Sequence, residues 1–306
     1  MAIALLKNPK LFLAPVTERG KFSLFKTITL IALLTPGLVT LFRFIFGLYA
    51  AQPVREVIFA FGLWTIRFLM LALAITPARF IFKLPELLAV RRMIGVAAFC
   101  YIAIHFTFFM ADKMFDLGVV ATEIVSRIYL AIGAAAILLL LALAVTSADG
   151  MVKKLGGKNW QMLHRLVYVA ATLGLIHYFM QAKLAVGEPT VVAGIFLWLM
   201  GFRIVMWTAS AKRAASLPAL LILSLAAFAV TVLGEAAYYS LARNIDAWKV
   251  LEANVNFTGG PRPAWYVLIF GLLVSGAAYV KSLRDAKPQA PPPARATASG
   301  RAPPIQ

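Results

Sequence analysis

The three histidines of this chain, His105, His164 and His177, fall within residues 91 to 183, and each sits in or at the edge of an apolar run. An imidazole surrounded by hydrocarbon is costly unless it hydrogen-bonds or binds something, so such a residue is a functional candidate. Depth decides which of the three could share a ligand. Counted from Arg92, His105 lies 13 residues into its run, roughly 20 Å at the helical rise. Counted from Trp160, His177 lies 17 residues in, roughly 25 Å. Two neutral imidazoles at similar depth on neighbouring antiparallel helices are what a six-coordinate b-type haem needs as axial ligands. The competing reading, a hydrogen bond between helices, suits one lone histidine better than a pair matched in depth.

His164 is different: it lies four residues past Trp160, roughly 6 Å in, beside Arg165. A ligand opposite it on the His105 segment would fall at Arg91 or Arg92, and a guanidinium keeps its proton and cannot bind iron. The 13 residues from His164 to His177 also leave them about 140° apart on an ideal helix. Three roles stay open for His164: ligand of a second, inner haem with an unusual or missing partner, contact to a propionate, or support for a flavin. Arg91 and Arg92 read first as topology charges, yet they could meet haem propionates or a flavin phosphate through bidentate hydrogen bonds. Arg67 stands in an otherwise apolar segment, about nine residues from its inner end and too deep to snorkel easily, so an anionic partner is as good a reading as none. Arg43 and Arg203, nearer the ends of their runs, read as snorkelling. Cys100 reads as a small buried hydrophobe, and Trp64, Trp160, Trp198, Trp207 and Trp265 as interface anchors or packing residues.

The elements that must position these residues are membrane spans. The chain is 62% hydrophobic and 14% charged, with a mean hydropathy of +0.85. Soluble domains are about 45–50% apolar and about 25% charged. A span needs about 20 mostly apolar residues, and eight can be drawn, near residues 27–48, 57–76, 93–110, 127–146, 162–181, 190–209, 217–240 and 264–281. Of the 30 Lys and Arg residues, nineteen then fall on the side of the N-terminus and seven on the other. Arg43, Arg67, Arg165 and Arg203 make up the rest, within or at the ends of spans. That asymmetry predicts both termini on the cytoplasmic side, and it accounts for the net charge of +18 without nucleic acid. Residues 1 to 26 read as a basic cytoplasmic leader, residues 241 to 263 as a loop, and residues 287 to 306, rich in proline, as a disordered cytoplasmic tail. A single cysteine excludes an intrachain disulfide, and no glycine-rich strand-to-helix turn for a dinucleotide is present.

Several motifs in this order resemble the MsrQ (YedZ) family, within the ferric reductase-like transmembrane superfamily. They are Pro53-Val54, Gly62, Arg67-Phe68 and Ile75-Thr76-Pro77 in the second span; Arg91-Arg92-Met93-Ile94-Gly95 ahead of His105; Thr146-Ser147; Trp160 through Tyr168; and Ile176-His177-Tyr178. The resemblance covers roughly residues 25 to 205. It implies a b-type haem subunit passing electrons from a cytoplasmic flavin reductase, or from the quinone pool, to a periplasmic molybdopterin enzyme that reduces methionine sulfoxide in proteins. It also implies that FMN can bind, that the ligand histidines match His105 and His177, and that the family's third histidine matches His164. Two departures stand out. Many relatives carry His-Phe-Thr-Gly where this chain has Phe59-Ala60-Phe61-Gly62, and two spans after about residue 215 exceed the six-span core associated with the family.

The expectation is therefore an all-α, polytopic bundle of about eight transmembrane helices in a bacterial inner membrane. Residues 27–210 form the six-helix haem-binding core and residues 211–286 add two helices. The third and fifth spans clasp one haem b, or two, through His105 and His177 with His164 as a further ligand; Arg67, Arg91, Arg92, His164 and Arg165 contact the cofactors. The function is electron transfer without substrate chemistry of its own. A self-contained ferric or oxygen reductase, and a proton-coupled transporter or scaffold, are the alternatives.

Overall fold

The computed structural model describes residues 22–183, 185–257 and 259–286. The leader lies outside these residues up to position 21, and the proline-rich tail lies outside them altogether. Every element among the described residues is helical, with no strand.

Ser23 caps α1, Leu24–Ile45, its hydroxyl accepting from the Lys26 N–H. Pro53 opens α2, Pro53–Phe82, at a position where a proline's missing N–H costs nothing, and Lys83 closes it in the left-handed conformation. At 30 residues α2 is about 45 Å long, more than the hydrocarbon layer of about 30 Å, so its last turns carry Arg79 and Lys83 past it. A short 3₁₀ turn, Pro85–Leu87, leads into α3, Leu88–Asp112. Asp116 caps α4, Leu117–Ser126, accepting from the Gly118 and Val119 N–H groups. Then come α5, Ile128–Val145; α6, Asp149–Leu155; α7, Gly157–His164; α8, Leu166–Ala182; and α9, Gly187–Thr208. The last elements are α10, Ala211–Ala214; α11, Leu217–Arg243; α12, Ala247–Asn256; and α13, Pro263–Ala286. Together α7 and α8 make one span, and among the described residues eight candidate spans are long and apolar enough to cross a membrane. The chain is a multi-pass membrane protein, and the eight segments drawn from the sequence coincide with them.

The short helices α4, α6 and α12 are the elements that a search for 20-residue apolar runs passes over. The connection expected as a loop over residues 241–263 contains α12, capped by Asp246. It is tied down by the Arg262–Glu235 ion pair and by the Trp265 indole donating to the Asn254 carbonyl.

The main packings are α2 along α3, α5 along α8, and α11 along α13. Large apolar side chains such as Leu38, Leu138, Ile222 and Leu273 are exposed on the spans, as lipid-facing positions must be. Cys100, expected to be buried, lies on such an exposed face.

Tyr101 locks α3 to α1. Its hydroxyl donates to the Leu33 carbonyl and accepts from the Gly37 N–H, both at 2.7 Å, so it stands inside one turn of the α1 ladder. Its ring meets Phe68 of α2 edge-on at 4.9 Å. Because α1 can close the freed turn on itself, Tyr101→Phe is expected to cost about 0.5–1.5 kcal/mol, seen as a lowered unfolding temperature in detergent. An unchanged melt would contradict this role for Tyr101.

Candidate functional site

His105 on α3 and His177 on α8 face each other with ring centres 6.4 Å apart and planes at 86°. Both are half-buried. Each ring is held from behind by the helix its own helix packs against. The His105 Nδ1 lies 2.8 Å from the Ile58 carbonyl of α2, and the His177 Nδ1 lies 2.7 Å from the Tyr129 carbonyl of α5. A carbonyl only accepts, so each Nδ1 carries the proton and donates it. That tautomer leaves each Nε2 with a free lone pair, the form in which imidazole binds a metal.

The spacing can be tested against a shared ion. An imidazole nitrogen lies about 2.0–2.1 Å from a first-row metal and about 1.1 Å from its ring centre, so two trans imidazoles put their centres roughly 6.3 Å apart. The observed separation matches. Among the described residues no three His, Cys, Asp or Glu side chains converge, so within them the pair has no third such ligand beside it. It suits a metal that brings its remaining ligands with it, as haem iron does.

Behind each ring stands a glycine. A Cβ on Gly62 would lie 3.0 Å from the His105 Nδ1, and one on Gly133 would lie 2.8 Å from the His177 Nδ1. Neither the two carbonyls nor Gly133 figured in the sequence reading, since nothing in a single sequence tells which carbonyl a histidine meets.

His164 is elsewhere. Thirteen residues from His177 along one span is roughly 20 Å, too far to share a ligand. Its ring packs on Trp160, centres 3.9 Å apart and planes tilted by 43°, and the Trp160 indole donates to the Thr146 carbonyl. Its Nε2 is buried without a hydrogen-bond partner. Arg91 lies within electrostatic reach of both His164 and Arg203. Arg91 and Arg165 are exposed and Arg92 is half-buried.

Arg67 has an anion within the protein. It pairs with Glu188 in the first turn of α9 at 2.6 Å, sits 4.8 Å over the Trp64 ring, and shares Glu188 with the Tyr178 hydroxyl. Glu188 also sits where a helix dipole favours a negative charge. The partner came from the far end of a different span, so spacing could not name it.

Residues 58–175 match a family profile described as a ferric reductase like transmembrane component. The stretch holds Gly62, His105, Gly133 and His164 and ends two residues before His177. The chain is 44% identical over 164 residues to the protein-methionine-sulfoxide reductase heme-binding subunit MsrQ of Rhodospirillum rubrum, covering 53% of this chain and 79% of that one. The proteins of the same name in Herminiimonas arsenicoxydans and Caulobacter vibrioides are 40% and 37% identical, over 61% and 52% of this chain and 87% and 76% of theirs. No solved structure matches.

Arg203 lies beyond the profile match but bonds back into it, and it corrects the expectation of snorkelling. It is 1% exposed. Its guanidinium donates to the Leu73 carbonyl at 2.5 Å, the Leu199 carbonyl at 2.9 Å and the Tyr168 hydroxyl at 3.2 Å, joining α2, α8 and α9. The apolar neighbours of Leu73 leave no water to replace those bonds. Arg203→Leu is expected to destabilise the protein by about 1–3 kcal/mol. Arg203→Lys should recover only part of that, because an ammonium lacks the planar fork. Thermal unfolding in detergent checks both, and two wild-type melts would contradict the role.

Proposed function

The chain belongs to the MsrQ family, and from that membership we propose that it is the haem-binding membrane subunit of a protein-methionine-sulfoxide reductase system. It carries electrons across the inner membrane to a periplasmic catalytic partner, a molybdopterin enzyme. The electrons come from a cytoplasmic flavin reductase or from quinol. Both termini are cytoplasmic, which the Lys and Arg asymmetry of the loops supports. Residues 27–210 supply the ferric reductase-like core, and α11 and α13 are additions to it.

The observation that carries this reading is the facing pair His105 and His177, at the separation of two imidazoles on one iron, each with its Nδ1 proton on a backbone carbonyl. When bound there, a haem b supplies reversible one-electron exchange. His105 and His177 offer neutral Nε2 lone pairs from opposite sides, and neither needs to gain or lose a proton when the charge of the site changes. The Ile58 and Tyr129 carbonyls hold the tautomer and the ring directions in advance, which keeps rearrangement small. Phe61, Tyr101 and Phe108 pack ring against ring between α2 and α3, which fixes the helix that carries His105 against the one that carries its carbonyl.

At the opposite end of the span, Arg91 lies within electrostatic reach of His164, Arg165 follows it in the chain, and Arg92 neighbours Arg91. This cluster holds an anionic group on the donor side, a propionate of a second haem or the phosphate of FMN, through guanidinium hydrogen bonds. The unpartnered His164 Nε2 supports that assignment. Arg67, neutralised by Glu188, keeps the acceptor side close to electrically balanced.

Reduced-minus-oxidised spectra of the purified protein, with haem quantified per chain, test the reading. His105→Ala and His177→Ala are each expected to abolish the b-type band, while His164→Ala keeps about half or all of it. Wild-type protein that stays colourless after reconstitution with haem would sink the proposal and turn attention to transport through Arg67.

A further inference from the structure

We infer that Gly62 and Gly133 are positioning residues for the two histidines, each holding open the backbone carbonyl on which an imidazole Nδ1 rests. The inference stands on the reading of His105 and His177 as the paired ligands.

The two seats share one construction. His105 rests on the Ile58 carbonyl, and Gly62 follows Ile58 by four residues on α2; His177 rests on the Tyr129 carbonyl, and Gly133 follows Tyr129 by four on α5. In a helix, each Cα–Cβ bond tilts toward the N-terminus, so a side chain at one position covers the turn before it. The carbonyl four residues earlier is the group such a side chain hides. A glycine there exposes that oxygen, whose second lone pair is free although the first accepts the helical N–H. The close approach of both rings shows the exposure being used: a Cβ would meet the His105 Nδ1 at 3.0 Å and Cε1 at 3.2 Å, and the His177 Nδ1 at 2.8 Å and Cε1 at 3.0 Å.

A third case occurs away from the histidine pair. Tyr101, one turn before His105, reaches the Leu33 carbonyl of α1, and Gly37 follows Leu33 by four residues. A Cβ on Gly37 would meet the Tyr101 hydroxyl at 2.7 Å. Helix α3 therefore seats two polar side chains by the same device, one on α1 and one on α2. A glycine inside a helix costs about 1 kcal/mol relative to alanine, so glycines held at these positions have something to offset.

The seats control two properties of the ligand pair. A hydrogen bond from Nδ1 to a carbonyl makes Nε2 a stronger electron donor, which favours the oxidised state of a bound iron. The direction of that bond also fixes the ring about its axis, and the two seats set the planes at 86°. Nearly perpendicular axial imidazoles give ferric haem a strongly anisotropic low-spin resonance, whereas parallel rings give an ordinary rhombic one.

The experiment compares Gly62→Ala, Gly133→Ala and Gly95→Ala in the full-length, haem-loaded protein. Gly95 lies on α3, and a Cβ there meets nothing within 4 Å, so its variant is the control. Ala is the better helix former, so losses at Gly62 or Gly133 cannot come from weakened helices. Each is expected to raise the midpoint potential, change the ferric electron paramagnetic resonance spectrum, and weaken haem binding by about 10-fold or more. Gly95→Ala should match the wild type on all three. A variant that purifies without haem is titrated with hemin, which reads the affinity directly. Wild-type potential and resonance in both glycine variants, even with lowered thermal stability, would overturn the inference. His105→Ala and His177→Ala run alongside separate this from failure of the underlying reading: if they lose the haem while the glycine variants behave as wild type, only the inference falls. If they keep the haem, the ligand assignment falls first.

Discussion

An imidazole N–H placed in hydrocarbon has no water to turn to, and the rest of this bundle is arranged around satisfying two of them. Backbone carbonyls in a membrane helix are already engaged, and only their second lone pairs remain. To reach those, His105 and His177 must lie hard against a neighbouring helix. That requirement pairs α3 with α2 and α8 with α5, the most extensive packings among the helices before α9. The two helix pairs then meet through the imidazole rings, with 6.4 Å between their centres. Once each Nδ1 is committed to its carbonyl, each Nε2 is left with a free lone pair.

The same economy of partners separates the two ends of the structure. Near the histidine pair, Arg67 has Glu188, which Tyr178 also bonds, so the local charge is balanced. Elsewhere in the bundle the support is different: Arg203 is held by two carbonyls and a phenol, and the His164 ring packs on Trp160. Positive charge held without a carboxylate is expensive in a span. The two ends therefore differ in how charge is held, by an ion pair near the histidine pair and by carbonyls and a phenol at Arg203.

Much of this was legible in the sequence because the membrane imposes a length. Runs of about 20 apolar residues located all eight spans, and the helical rise matched His105 with His177 while setting His164 apart. Short helices escaped: α4 is apolar but only 10 residues long, and α12 is held by its cap and by tertiary bonds such as Arg262 to Glu235 rather than by hydropathy. Arg203 was misread because its distance from a span end says nothing of which face it occupies; the Leu73 carbonyl on another helix decides that. Gly62 was visible as part of a motif, but its use against His105 depends on a contact across 43 residues of chain. Gly133 carried no signal at all. What single-chain spacing conveys is depth, and what it omits is azimuth.

The central claim is that His105 and His177 bind one iron from opposite sides. Near-infrared magnetic circular dichroism of the oxidised wild-type protein tests it most directly, because the charge-transfer band of low-spin ferric haem reports the two axial ligands by type. The account predicts a bis-imidazole band as the principal low-spin signal, with an intensity of at least one haem per chain. A principal signal from high-spin haem, or from iron with one imidazole and a ligand of another kind, would contradict it.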